Sequence, residues 1–64
     1  MELVRLTRQN ASEYIGYEIL FKSRGIHIVK RILSVNINNT SVGIDHPDLH
    51  NRLDISRRIH VLHL

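Results

Sequence analysis

The chain has 64 residues and carries nine Lys and Arg against six Asp and Glu, a net charge of +3 with its five histidines neutral. Such a length makes one domain, residues 1–64, that buries only about 60% of its unfolded surface; without cysteine, neither a disulfide nor a thiolate-held metal reinforces it. No apolar run approaches the roughly 20 residues of a membrane-spanning helix, and Glu2, Arg5 and Arg8 break up any signal-peptide core, so an intracellular location is expected.

Residues 3–7 read as a short strand and residues 10–13 as a turn, with Ser12 able to cap a brief helix. In YIGYEILFKS, Ile15, Tyr17, Ile19 and Phe21 fall on one face and Gly16, Glu18, Leu20 and Lys22 on the other. That period of two belongs to a half-buried strand. SRG at residues 23–25 turns the chain, Gly25 being free to take a positive φ. IHIVKRILSV, residues 26–35, is apolar on both faces: Val29, Leu33 and Val35 on one, Ile26, Ile28 and Ile32 on the other. A one-sided strand has no use for both sets; a long strand that bends and serves two parts of a barrel does.

Asn38 and Asn39 suit a tight hairpin turn, because Asn tolerates left-handed dihedrals. TSVGI then alternates, with Thr40, Val42 and Ile44 on one face. At the C-terminal end RRIHVLHL alternates again, Ile59, Val61 and His63 against His60, Leu62 and Leu64. Glycosylation sequons at Asn10, Asn38 and Asn39 are read as chance, since no secretory signal accompanies them.

Between these strands lies GIDHPDLHNRLDI, residues 43–55, dense in His and Asp. Pro47 suits the first position of a helical turn, with His46 as its cap and Asp48 favourable in its first turn. Leu49 and Leu53, four apart, would then plug the end of a barrel, while His50 and Asp54 face outward. Turn chemistry therefore accounts for the segment over residues 47–53 without any ligand. A metal site would use His46 and His50 with Asp45, Asp48, His60 or His63, but neither cysteine nor an HExxH pattern supports one, and no metal or other cofactor is expected. Four of the five histidines lie between positions 46 and 63, which raises a pH switch as a further reading; exposed imidazoles titrate without consequence, so none is expected.

The element order is a strand, a long bent strand, a third strand, a helical turn and a closing strand. In that order, and in GYEILFKSRGIHIVKRILSV, the chain from residue 14 to 64 resembles the Tudor and KOW-type SH3-like barrels. The resemblance implies a mostly β fold: a small SH3-like antiparallel barrel of four or five strands with one short helical turn over residues 47–53. It does not imply a function. A looser likeness to small proteins of large DNA viruses of amoebae rests on no motif; for a viral chain a nucleus, viral factory or virion would be the place of action.

Catalysis is not expected. No serine sits in a GxSxG elbow, three glycines make no phosphate-binding loop, and a 64-residue barrel has little room for a substrate pocket. A cage for methylated cations needs several aromatic faces, and Tyr14, Tyr17 and Phe21 are few, with at least two of them core by alternation. The basic residues point to an anionic partner. Lys22 and Arg24 flank the first turn, and Lys30-Arg31 would lie near Arg57-Arg58 in a barrel. These six are the candidate contacts to DNA or RNA phosphates; their competing role is to keep strand edges solvated. The final strand, with Val61, Leu62 and Leu64, is the candidate interface of a homodimer or larger assembly, on the premise that it is an exposed edge. A purely structural assembly protein is the alternative function.

Overall fold

A computed structural model describes residues 2–63. Seven short strands form two antiparallel sheets: β1 (Glu2–Arg5), β2 (Glu18–Ser23), β3 (Ile26–Arg31), β4 (Ser34–Val35), β5 (Ser41–Gly43), β6 (Arg52–Asp54) and β7 (His60–His63). The larger sheet has the order β1-β7-β2-β3 and the smaller β4-β5-β6. Two single turns of 3-10 helix, Ala11–Tyr14 and Pro47–Leu49, complete the ordered structure. The mostly β expectation is met. The closed SH3-like barrel is not, because no strand ladder joins the two sheets among the described residues.

The reason lies at Ile32 and Leu33. The Ile32 N–H donates to the Tyr17 carbonyl at 2.9 Å, adding one pair to the β2–β3 hairpin. The next residue, Leu33, donates to the Gly43 carbonyl at 2.8 Å and so begins the pairing of the smaller sheet. One long bent strand thus feeds both sheets, as its two apolar faces suggest, but passes from one to the other instead of bridging them. Ile32 is fully buried at this bend, while Leu33 is 60% exposed.

Local chemistry sets each turn. Ser23 pairs with Ile26, and the two residues between them, Arg24 and Gly25, have φ of 52° and 78°. Two positive φ values in a two-residue loop match the right-handed twist of the flanking strands. In the β4–β5 hairpin, the Asn36 side-chain oxygen accepts the N–H groups of Thr40 (2.7 Å) and Ser41 (3.1 Å), and Asn39 takes φ 56°. On β2 the alternation holds from Ile19 onward: Ile19 and Phe21 are buried. Ile15 and Tyr17 depart from it at 49% and 38% exposure, because β2 begins only at Glu18 and the chain before it is a turn.

The helical turn expected near residues 47–53 is present, as 3-10 helix, but only over Pro47–Leu49. The turn ends at Leu49, because His50 and Asn51 both take left-handed dihedrals, φ 56° and 59°. Asn51 closes the loop: its side-chain oxygen accepts the His46 N–H at 3.0 Å and its own N–H donates to the His46 carbonyl at 3.0 Å. Beyond this point Arg52–Asp54 is strand β6, in register with β5, so Leu53 faces Val42 and is no partner of Leu49 on a helix.

The core takes Ile19, Phe21 and Val61 from the larger sheet and Val42 and Leu53 from the smaller. The connections add Leu6, Ala11, Ile32, Ile44, Ile55 and Ile59. Burying each large side chain contributes about 1.5–3 kcal/mol, which must offset the backbone ordering of a very small domain. The premise that β7 is an edge strand is also overturned: β7 pairs with β1 on one side and β2 on the other. Val61 is fully buried, Leu62 is half-buried, and Leu64 lies outside the described residues.

Candidate functional site

The register of the larger sheet decides which basic side chains meet. Ile19, Phe21, Ile28 and Val61 face the core. The opposite face therefore carries Glu18, Leu20 and Lys22 of β2, His27, Val29 and Arg31 of β3, His60 and Leu62 of β7, and Leu3 and Arg5 of β1. Lys22 lies directly across from His27, and His60 lies between Leu20 and Arg5. Just before β7, the Arg57 guanidinium donates to the Lys22 carbonyl at 3.2 Å, and Arg58 lines one shallow cleft with Lys22, His27 and His60. Lys22, Arg57 and Arg58 thus gather at one end of the outer sheet face. Among the described residues no carboxylate lies within ion-pair distance of any of the three.

The other three candidates are placed elsewhere. Arg24 lines a second cleft, between the first hairpin turn and the Pro47–Leu49 turn, together with His46 and Asp48. Lys30 and Arg31 are neighbours on a strand and so point to opposite sides of it. Lys30 sits opposite Ile19 on the core side of edge strand β3. Arg31 lies at the far end of the outer face, bonded to the Gly16 carbonyl and 3.9 Å from Glu18. Lys30-Arg31 is therefore not beside Arg57-Arg58. The pair instead puts charge on edge strand β3.

His27 and His60 belong to the basic end, and the sequence gives no sign of it. Only cross-strand register puts them next to Lys22, and no local spacing encodes that. Nearby, the Asp54 carboxyl is held below its usual 3.8 by the Ser56 backbone N–H, which donates to it at 2.8 Å, then by the Ser56 hydroxyl; the Arg57 charge adds a smaller push. This local bond fixes the turn that presents Arg57 and Arg58.

The His and Asp segment is a turn. His46 packs its ring 6.4 Å from that of Phe21, with a buried Nδ1 that has no hydrogen-bond partner. His50, by contrast, is exposed on left-handed backbone. The two cannot share a helical face, since His50 is already outside the turn. Among the described residues no group of three or more His, Asp or Glu side chains is arranged to hold a metal ion.

One aromatic cluster is present at the opposite end of the larger sheet. Tyr14 and Tyr17 meet edge to face at 5.2 Å, and the His63 ring lies 5.7 Å from Tyr17 and 6.2 Å from Tyr14. Tyr17 and His63 line an open cleft with Gly16, Glu18, Arg31 and Leu62. His63 Nδ1 also lies 3.7 Å from Glu2. Of the three aromatic residues, Phe21 alone is fully in the core. Comparison with known proteins adds no identity to this geometry: no family model matches the chain, nor does any curated protein or solved structure.

Proposed function

We propose that this protein is a non-enzymatic interaction module that contacts nucleic acid through Lys22, Arg57 and Arg58. The observation that carries the reading is the gathering of these three cations, with no carboxylate in ion-pair reach among the described residues, at one end of the larger sheet. Phosphates are the chemistry such a cluster fits best: ammonium and guanidinium groups displace the counterions condensed on a polyanion, and the released ions drive binding. His27 and His60 add donors beside them. The contacts are to backbone, so the binding is blind to sequence.

The test is fluorescence anisotropy with labelled DNA and RNA across a salt series. Phosphate binding gives an affinity that falls linearly with salt on a log–log plot. Arg57→Ala/Arg58→Ala lowers that slope by about one for each phosphate no longer neutralised. Lys30→Ala, on the core side of the β3 edge, leaves it unchanged. Absence of binding at low salt overturns the proposal.

A second reading is favoured by a separate observation. Leu3 on β1 and Ile26 and Val29 on β3 are 53%, 66% and 47% exposed, on the two edge strands of the larger sheet. Apolar groups on open edges support a homodimer or larger assembly, formed by strand addition at β1 or β3 in place of β7. A purely structural protein would show this association and no nucleic-acid binding.

A further inference from the structure

The outer face of the larger sheet has three zones. At one end is the basic cluster of Lys22, Arg57 and Arg58. In the middle are uncharged apolar side chains: Leu20 lies opposite Val29, which is 47% exposed, and Leu62 lies opposite Leu3, which is 53% exposed. At the other end is a cleft lined by Glu18, Arg31 and Leu62 of this face together with Tyr17 and His63, which by alternation stand with Ile19 and Val61 on the core side and reach the cleft at the end of the sheet. Along β2 the distance from Glu18 to Lys22 is four residues, or about 13 Å.

From this arrangement we infer that the nucleic acid taken by the basic cluster is single-stranded, and that its bases lie across the apolar middle zone and stack on Tyr17. The inference rests on the phosphate-binding reading of the previous subsection. Its separate ground is the character of the other two zones. A duplex presents a charged phosphate surface and keeps its bases stacked inside, so it gains nothing from covering Leu20, Val29 and Leu62. An unpaired strand exposes base faces that are apolar and can be stacked on aromatic rings. Tyr17 is suited to that role. It is 38% exposed, and its orientation is fixed by edge-to-face contact with Tyr14, so little rotamer freedom is lost when a base covers it. Arg31, at the same end, supplies a cation for a further phosphate, shared with Glu18. Because every base has a π-face, stacking of this kind tolerates any sequence. Cations sit at both ends of the face, Arg31 beside Glu18, and Arg5 flanks its middle on the β1 edge, while Leu20, Val29, Leu3 and Leu62 between them are uncharged.

The chain has two tyrosines and no tryptophan, so its intrinsic fluorescence reports on this site directly. The experiment titrates the full chain with oligothymidylate of about 12 nucleotides, within the site sizes of small single-strand-binding domains. A duplex of the same length is titrated in parallel at the same salt. The expected result is quenching of tyrosine emission by the single strand and an affinity at least tenfold above that for the duplex. Tyr17→Ala weakens single-strand binding on the order of tenfold, the scale of one stacked base, and leaves duplex binding unchanged. Tyr17→Phe keeps the stacking and binds as the wild type does. Tyr17→Leu keeps apolar bulk for folding and loses affinity as Tyr17→Ala does. Equal or tighter duplex binding, or single-strand binding indifferent to all three substitutions, overturns the inference while leaving the phosphate-binding reading intact. Binding to neither probe overturns both.

Discussion

Leu53 offers the sharpest test of how the His and Asp segment is built. It is 2% exposed and lies opposite Val42, itself fully buried, in the β5–β6 pair. Truncating a leucine in such a place costs about 2–5 kcal/mol, the sum of lost transfer energy and the cavity left behind. A domain of this size has a total stability of roughly 3–10 kcal/mol, so Leu53→Ala removes a large part of it. At about 4–8 °C per kcal/mol for small domains, the melting temperature falls by about 10 °C or more. Leu49 is the internal control. It is only half-buried, on the 3-10 turn, and packs against the core from outside. Leu49→Ala is expected to cost about 1 kcal/mol. Thermal and urea unfolding followed by far-ultraviolet circular dichroism measures both. Were residues 47–53 a two-turn helix with both leucines on one plugging face, the two substitutions would cost the same. Equal losses therefore refute the strand assignment of residues 52–54.

Three further outcomes are expected. Gly25→Ala destabilises the β2–β3 hairpin by about 1 kcal/mol through its φ of 78°, since an added Cβ meets no atom within 4 Å and the penalty is conformational alone; a neutral result in urea unfolding refutes the two-residue turn. Asp54, whose folded carboxyl is held below 3.8, contributes stability that is full above that value and is lost as pH falls through the lower folded value; the stability gap between wild type and Asp54→Asn should therefore narrow below about pH 4, and a gap constant with pH refutes the Ser56 bond. If the protein self-associates, Val29→Lys on edge strand β3 reduces the assembly seen by light scattering and Lys30→Ala does not; a monomer at high micromolar concentration removes the assembly reading.

The features legible in the chain alone are local ones. Period-two alternation groups Ile19 with Phe21, Val42 with Ile44, and Ile59 with Val61 on shared faces, and all six are buried. Asn39 and Gly25 mark two of the turns, because their backbone conformations are ones that few other residues adopt readily. The double-faced run over residues 26–35 announces a strand that serves two sheets. A short alternation of Leu53 and Ile55 is also there to be read, but Pro47 and the four-residue spacing of Leu49 and Leu53 speak for a helix. His50 and Asn51 end that helix by taking left-handed dihedrals that no spacing encodes.

Which strands become neighbours is settled only by long-range pairing and packing. The last strand inserts between β1 and β2, which converts a supposed edge into the centre of a sheet. Its hydrogen bonds go to strands from the first half of the chain, so no local pattern could signal them. The same pairing brings Arg57 and Arg58 to Lys22 and leaves Arg31 at the opposite end with Glu18. Side-chain charge is written in the sequence one residue at a time; a charged site is a sum over distances, and those distances are fixed only when the sheets have paired and packed.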